Sequence, residues 1–180
     1  MNVLLGVTGS VAAKLTLVLV DELQHCGFQV KAVATEPSLF FWNQSGVQFP
    51  VYRNRDEWPA EYIPKSPILH IDLRNWADTL VIAPLSANTL AKMANGIADN
   101  LLTSIVRAWD RSKKVIIAPA MNTHMWDHPA TKEHLDTLMR WYPHLTIVNP
   151  INKLLECGDV GIGAMAEVHQ IVEEVKKCAH

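Results

Sequence analysis

Three side chains in this sequence could take part in chemistry on a small molecule: the amide of Asn122, the imidazole of His70 and the thiol of Cys157. Asn122 follows the apolar run 115–118 and Pro119, a pattern typical of a buried parallel strand that ends abruptly. In an α/β sheet, ligands bind in the crevice outside the carboxyl ends of the strands. We therefore expect Asn122 to lie at the centre of a ligand site.

The surroundings of His70 and Cys157 favour different interpretations. His70 lies among apolar residues, where a lone histidine is more often a structural, hydrogen-bonded residue than a catalyst. Cys157 lies in the glycine-rich stretch 156–163, where an accessible thiol could serve as an acid or a nucleophile. The other two cysteines, Cys26 and Cys178, fall in helices or at their ends, and we expect them to be inert.

Other kinds of chemistry are not expected. His124 and His128 have i, i+4 spacing, but Pro129 places a helix start between them. No carboxylate is suitably spaced, so these histidines and His134 do not predict a metal site. The sequence has no Gly-x-Ser-x-Gly, which argues against a serine hydrolase. A formal net charge of -2 gives no electrostatic reason to expect nucleic acid or an anionic membrane as a partner.

Length and composition favour a single cytoplasmic domain. The 180 residues, of which 49% are hydrophobic, are enough to bury a sizeable core. Three scattered cysteines without a CxxC fit a reducing compartment, and no run of about eighteen apolar residues could span a membrane. We therefore predict one domain over residues 1–180.

Apolar runs that alternate with helix signals predict an α/β fold with a parallel sheet. The predicted strands are 3–7, 28–34, 79–83, 115–118 and 145–148, with a short edge strand within 47–52. The predicted helices end near residues 25, 42, 76, 95, 109, 141 and 177. Ser10 and Asp99 are the expected N-caps of the first and the fifth of these helices.

The loops that follow four of these strands should open at one edge of the sheet, which we predict to be the binding face. The loop 8–12 places backbone N–H groups at a helix N-terminus, an arrangement that suits a phosphate. It has neither the dinucleotide pattern GxGxxG nor the lysine spacing of a Walker loop. A tight strand-to-helix turn therefore remains the alternative interpretation of this loop.

Four motifs together resemble one family. They are GVTGSVAA (6–13), the stretch 69–114 with SANT at 86–89, PAMNTHMW (119–126) and CGDVGIGAMAE (157–167). Over most of its length the sequence resembles the homo-oligomeric flavin-containing cysteine decarboxylases, least over 39–67 and 134–153. This resemblance implies an α/β, Rossmann-like/flavodoxin-like three-layer fold with a central parallel sheet, and it implies FMN as the cofactor.

The resemblance also implies roles for individual residues. Those expected to hold the phosphate and ribityl chain of FMN are Gly9, Ser10, Val11 and Thr35. Those expected to line the flavin are Ser86, Ala87, Asn88, Thr89 and Ala120. Asn122 should bind the substrate carboxylate, and His70 should act in the oxidation step. Cys157 should donate a proton late in the cycle, from a flap that includes Met165.

By the same resemblance, the reaction is decarboxylation of 4'-phospho-N-pantothenoylcysteine to 4'-phosphopantetheine, in coenzyme A synthesis. Family members are trimers with FMN at the subunit boundary, so His70 should serve a neighbour's flavin. The rival interpretations are a non-catalytic FMN-binding regulator of a protein phosphatase, a peptidyl-cysteine decarboxylase and a flavin prenyltransferase. Retention of His70, Asn122 and Cys157 argues against the first of these, and the last would not need Cys157.

Two positions depart from the family pattern. Relatives usually carry two arginines where this chain has Arg74 and Asn75, and a basic residue where it has Leu154, one step after Lys153. Both positions are associated with holding the anionic end of the substrate, so Arg74 is the remaining candidate for that contact. These departures leave a different cysteinyl or peptide substrate as the alternative.

Overall fold

The computed structural model describes residues 1–58, 66–154 and 160–179. Six strands form one sheet: β1 Asn2–Val7, β2 Gln29–Ala34, β3 Val51–Arg53, β4 Thr79–Leu85, β5 Lys114–Pro119 and β6 Leu145–Ile147. Their order is β3-β2-β1-β4-β5-β6, and every neighbouring pair is parallel. This is the strand order of a Rossmann sheet, which reverses between β1 and β4. The predicted α/β fold with a central parallel sheet is confirmed.

Helices cover both faces of the sheet. They are α1 Thr16–His25, α2 Leu69–Trp76, α3 Ala87–Ala94, α4 Leu101–Arg107, α5 Thr123–Trp126, α6 Pro129–Trp141 and α7 Val168–Lys176. Successive residues of a strand point to opposite faces. Leu5 accordingly joins the apolar cluster that includes α1 and α7, while Leu4 joins the cluster that includes α2, α3, α4 and α6. In the described ranges, none of these helices has the length and apolar character needed to cross a bilayer.

A two-stranded antiparallel hairpin, β7 Ile151–Leu154 and β8 Val160–Ala164, lies outside the main sheet. The sequence did not predict it, because glycines are depleted in strands and the stretch contains several of them. Cys157 falls between the two strands and lies outside the described residues. The catalytic role expected for Cys157 therefore stays a prediction.

Two element boundaries predicted from the sequence are wrong. The strand expected to stop before Pro84 continues through it, because the pairing of β4 with β5 shifts register and then resumes at Leu85 and Pro119. The N-cap of α4 is Asn100, whose side chain accepts a hydrogen bond from Thr103 N, and not Asp99. Asp99 instead accepts a hydrogen bond from Lys92 Nζ at 2.5 Å.

The segment between β2 and β3 differs in detail from the prediction. The short helix expected over 39–42 is a 3-10 turn over Glu36–Phe40. The edge strand has three residues instead of the longer strand expected within 47–52. A second 3-10 turn, Asn54–Asp56, follows this strand. It leads to Glu57, which contacts His70.

Candidate functional site

Thr8 joins the ends of the two central strands, β1 and β4. Its backbone N–H and its hydroxyl both donate to Pro84 O, at 3.3 and 2.8 Å, and its Oγ1 accepts from Ser86 N at 2.7 Å. The Thr8 side chain is fully buried. These bonds fix the ends of β1 and β4 at the point where the strand order reverses. Doubly wound folds bind their ligands at this point.

The ends of the flanking strands β2 and β5 are hydrogen-bonded to the ends of β1 and β4. After β2, Thr35 donates to Val7 O from its backbone N–H at 3.0 Å and from its hydroxyl at 3.2 Å. After β5, Ala120 N donates to Leu85 O at 2.9 Å. The exits of β2, β1, β4 and β5 therefore form one continuous edge. Residues assigned to FMN from four separate loops are neighbours along it.

Ser10 begins the helical segment that follows β1. Its extended backbone and its Oγ, which accepts from Ala12 N at 3.4 Å, make it the N-cap of the 3-10 turn Val11–Leu15 that continues into α1. Ser10 was the predicted N-cap. The preceding Gly9 is explained by close packing, because a Cβ there would lie 2.6 Å from Pro37 Cβ. A half-buried serine among backbone N–H groups at a helix start suits an anion.

The SANT motif begins α3. The Ser86 side chain accepts from Thr89 N at 3.3 Å and caps the helix. Ser86 and Thr89 are buried, Ala87 is partly exposed, and Asn88 is exposed. The motif therefore presents one exposed amide and one small side chain at the strand edge, with two hydroxyl groups held beneath them.

Asn122 is the N-cap of α5. Its Oδ1 accepts from His124 N at 2.8 Å, which fixes the orientation of the half-buried amide. The strand β8 lies against the same loop, since Met121 N donates to Gly163 O at 2.9 Å. Met165, at the end of the hairpin, is buried in one apolar cluster with Ala120. The structure thus brings the predicted flap segment onto the Asn122 loop, although Met165 itself faces the core.

His70 lies in the first turn of α2. Its Nδ1 is 2.5 Å from Glu57 Oε1, and the Glu57 side chain is only 2% exposed. Sequence reasoning missed Glu57 altogether, because it sits in a stretch of alternating charges and prolines that indicates a solvated loop. No local signal in the sequence distinguishes a buried glutamate there from an exposed one.

Arg74 is not brought to the strand exits. Its Nη1 donates to Ala108 O at 3.1 Å, and its Nη2 donates to Asn75 Oδ1 at 2.7 Å. Ala108 is the C-cap of α4, whose N-terminus lines the cleft beside Thr35. The guanidinium therefore lies at the opposite end of α4 from that cleft. A role for Arg74 in binding substrate stays a prediction.

The cleft beside Thr35 has a volume of about 210 Å³ and extends between the 3-10 turn after β2 and the start of α4. Lys92 and Asp99 form an ion pair on its wall. The Ser10 hydroxyl and the helix N–H groups at this edge are donors that fit a phosphate, and the small Ala87 and Ala120 leave space for a flat ring. The residues present therefore fit the predicted FMN.

The Thr8 bridge gives a first prediction. Thr8→Val should lower the free energy of unfolding by about 1–3 kcal/mol, because Ser86 N would lose its buried acceptor. Thr16→Val is the matched control, since Thr16 is equally buried and its hydroxyl only donates, to Ala13 O at 2.7 Å. Urea unfolding of the two variants measures the difference. An equal loss in both would contradict a special role for the bridge.

The ion pair on the cleft wall gives a second prediction. The hydrogen bond from Lys92 holds the pKa of Asp99 below its ordinary value. A carboxyl whose pKa is lowered by folding contributes its full stabilisation at pH values above its pKa in the unfolded chain, about 3.9. That stabilisation is lost as the pH falls through the lower pKa of the folded protein. Asp99→Asn should cost at most about 1 kcal/mol at neutral pH, because the pair is exposed.

Urea unfolding of wild type and Asp99→Asn at neutral pH, and again well below the unfolded pKa, measures this effect. The difference between the two proteins should shrink in acid and in high salt, because screening weakens exposed pairs. A difference that stays constant with pH would contradict the assigned ion pair.

A Rossmann sheet with capped helix starts and small side chains at its switch point is typical of nucleotide-binding α/β proteins. The chain belongs to the Flavoprotein family, whose model matches residues 1–180. It is 48% identical over 177 residues to phosphopantothenoylcysteine decarboxylase of Mus musculus, a match that covers 97% of this chain and 85% of the mouse protein. This family membership confirms the resemblance drawn from the motifs.

Two solved structures extend the comparison. One is a PPC decarboxylase mutant, with a serine in place of a cysteine, complexed with pantothenoylaminoethenethiol. It has a TM-score of 0.91 and 46% identity, and the match covers 98% of this chain and 96% of that one. The other is the FMN binding protein AtHal3, with a TM-score of 0.88, 47% identity and coverage of 98% and 95%.

Proposed function

We propose that this protein, acting as one flavoprotein domain over residues 1–180, is an FMN-dependent phosphopantothenoylcysteine decarboxylase. It converts 4'-phospho-N-pantothenoylcysteine to 4'-phosphopantetheine in coenzyme A biosynthesis. The observation that carries this proposal is the continuous edge at which the Asn122 loop adjoins the exits holding Thr8, Thr35 and Ser86. Cofactor and substrate carboxylate can then share one wall of the site.

The residues that would hold FMN come from the four strand exits. Ser10, at the start of the helical segment after β1, and Thr35 after β2 would receive the phosphate and ribityl chain. Ala87, Asn88 and Ala120 would line the flavin, with Ser86 and Thr89 fixing their backbone. Bound FMN supplies reversible two-electron redox chemistry at the substrate's thiol.

Asn122 would orient the carboxylate that leaves as CO2. A neutral amide suits this role, because a fixed cation would stabilise the charged ground state that has to disappear. The acceptor end of the amide is already held by His124 N at 2.8 Å. The orientation of the group is therefore set before the substrate arrives.

His70 and Cys157 would carry the two proton transfers. His70 would accept the proton of the substrate thiol at its Nε2, since Nδ1 already contacts Glu57. Cys157 would later return a proton to the carbon that has lost CO2, because protonation there needs a nearby acid. Cys157→Ser should therefore allow CO2 to leave but accumulate an enethiol, and normal turnover by this variant would remove Cys157 from the mechanism.

We also propose that the protein is a cytoplasmic homotrimer with FMN at the subunit boundary. Two apolar side chains that neighbour His70 and Glu57 in the sequence are strongly exposed in the single chain, Trp58 at 71% and Ile68 at 54%. Such groups favour an interface over a free surface. Light scattering on the FMN-loaded protein should give three times the mass of the 20.1 kDa chain.

The test of the function compares two substrates. The purified protein should take up FMN and release CO2 faster from 4'-phospho-N-pantothenoylcysteine than from a peptide ending in cysteine. Protein that cannot take up FMN would exclude both activities. Faster release from the peptide would replace the proposal with the second candidate, a peptidyl-cysteine decarboxylase.

One observation favours that second candidate. Asn75 occupies the position of an expected arginine, and it accepts hydrogen bonds from Arg74. The guanidinium is thereby engaged within the chain and is less available to an anionic phosphate group. A substrate without a phosphate would not need it.

A further inference from the structure

Glu57 is a buried acid whose position the proposed reaction does not yet explain. Its side chain is 2% exposed, and its Oε1 lies 2.5 Å from His70 Nδ1. Its other oxygen, Oε2, is buried and has no hydrogen-bond partner among the residues that the structure describes. In that part of the chain, His70 is therefore the only side chain that compensates the burial of this carboxyl.

The turn that leads to Glu57 is tied to the start of α4. Glu57 N donates to Asn54 O at 3.2 Å within the turn that follows β3. The side chain of Asn54 accepts from Leu101 N at 3.0 Å and so fixes this turn to the start of α4. Glu57 therefore reaches His70 from a tethered backbone, and its position does not depend on the histidine alone.

Stability gives a poor reason for this arrangement. Burying a carboxylate is costly unless its hydrogen-bonding capacity is well satisfied, and even a paired buried ion often adds little net stability. Among the residues that the structure describes, Glu57 Oε1 has a hydrogen-bond partner and Oε2 has none. A role in chemistry through His70 accounts for the pair better than a contribution to folding does.

The contact determines which nitrogen of His70 can act as a base. An ionised carboxylate only accepts hydrogen bonds, so the contact with Glu57 requires a proton on Nδ1. In a neutral imidazole, Nε2 then carries the lone pair, since the tautomer is set by the hydrogen bond that the other nitrogen makes. Because Nδ1 contacts Glu57, Nε2 is the nitrogen directed away from the buried acid.

We propose that Glu57 is a positioning residue that holds His70 in the Nδ1–H tautomer, so that Nε2 accepts the substrate's thiol proton. The inference rests on the proposed function and deepens it. In the step, the S–H bond breaks and its electron pair stays on sulfur. The proton bonds to Nε2, and the resulting imidazolium keeps its Nδ1–H bond to the Glu57 carboxylate. The carboxylate itself takes up no proton.

The direct test is the nitrogen-15 spectrum of histidine-labelled protein, with and without FMN. Wild-type His70 should show a protonated Nδ1 and an unprotonated Nε2. Glu57→Leu should let His70 populate both neutral tautomers, because it removes the buried acceptor that holds the proton on Nδ1. His25 is an internal reference, since its Nδ1 lies 2.7 Å from the backbone oxygen of Asp21 and should not respond to the change at residue 57.

Activity gives the second readout. Glu57→Gln should lower kcat for CO2 release roughly 10- to 100-fold, the range found for losing the hydrogen-bond partner that orients a metal-binding histidine, while KM changes little. Glu57→Asp keeps the charge and should recover part of the loss. Glu133→Gln removes an exposed carboxylate on α6 and should leave both kcat and the tautomer of His70 unchanged.

The outcomes separate this inference from the proposed function. Wild-type His70 with its proton on Nε2 would overturn the inference, even if Glu57→Leu failed to fold. An unchanged tautomer in Glu57→Leu would overturn it too, because a fall in kcat would then reflect structure alone. The expected tautomers in a protein that releases no CO2 would support the Glu57–His70 pair and refute the decarboxylase.

Discussion

Asn122→Asp should fold and bind FMN as the wild type does, and it should release CO2 roughly 100- to 1000-fold more slowly, the range seen when one fixed donor in an active site is lost. The fold is preserved because aspartate is as good an N-cap as asparagine, so its carboxylate can accept from His124 N in the place of Oδ1. Activity falls because a negative charge now faces the substrate carboxylate in the same position.

The measurement combines thermal unfolding, FMN titration and single-turnover release of CO2. Asn43→Asp is the matched control, because the Asn43 side chain also accepts from the backbone two residues on, Ser45 N at 2.9 Å, on an exposed loop. This control should leave all three quantities unchanged. Full activity in Asn122→Asp would mean that Asn122 only caps α5 and that the carboxylate binds elsewhere.

Gly163→Ala should detach the hairpin β7–β8 from the loop that carries Asn122. A Cβ at residue 163 would lie 2.3 Å from Met121 O and 3.3 Å from the Asn122 carbonyl carbon. Both are backbone atoms, so neither can move aside as a flexible side chain would. Overpacking of this kind costs about 1–3 kcal/mol. We expect CO2 release to fall by about 100-fold, since shifts near 1 Å in a positioning element have effects of that size.

Gly27→Ala separates the clash from the backbone strain. Both glycines have a positive φ, 82° at Gly27 and 155° at Gly163, but nothing lies within 4 Å of a Cβ at Gly27. The control should lose about 1–2 kcal/mol of stability, the cost of a left-handed backbone for an L-residue, and keep its activity. Hydrogen exchange of Met121 N–H, which donates to Gly163 O in the wild type, should accelerate only in Gly163→Ala. Equal activity in the two variants would show that the hairpin does not serve the site.

The main sheet follows from local sequence patterns. The runs that contain Leu5, Ile82 and Ile117 have almost no polar residues, which indicates strands buried on both faces, and each of the three residues is fully buried. Helix signals between these runs leave a parallel sheet as the simple arrangement. The adjacency of the loops around Ser10, Thr35 and Ser86 then follows from the geometry of such a sheet.

The hairpin and Glu57 could not be predicted in the same way, because long-range packing determines both. Gly161 and Gly163 lower the strand propensity of their segment, yet they allow β8 to lie against Thr123 and the Met121 carbonyl. Glu57 lies in a polar stretch, and its burial depends on the approach of α2 and His70. Neither contact has a local pattern that sequence periodicity could detect.

The central claim is tested most directly by release of labelled CO2 from 4'-phospho-N-pantothenoylcysteine labelled at the cysteine carboxyl. The FMN-loaded protein should release the label with multiple turnovers and form 4'-phosphopantetheine in equal amount, and Asn122→Asp should lose most of this activity while staying yellow. A yellow, folded protein that releases no label from this substrate would contradict the account.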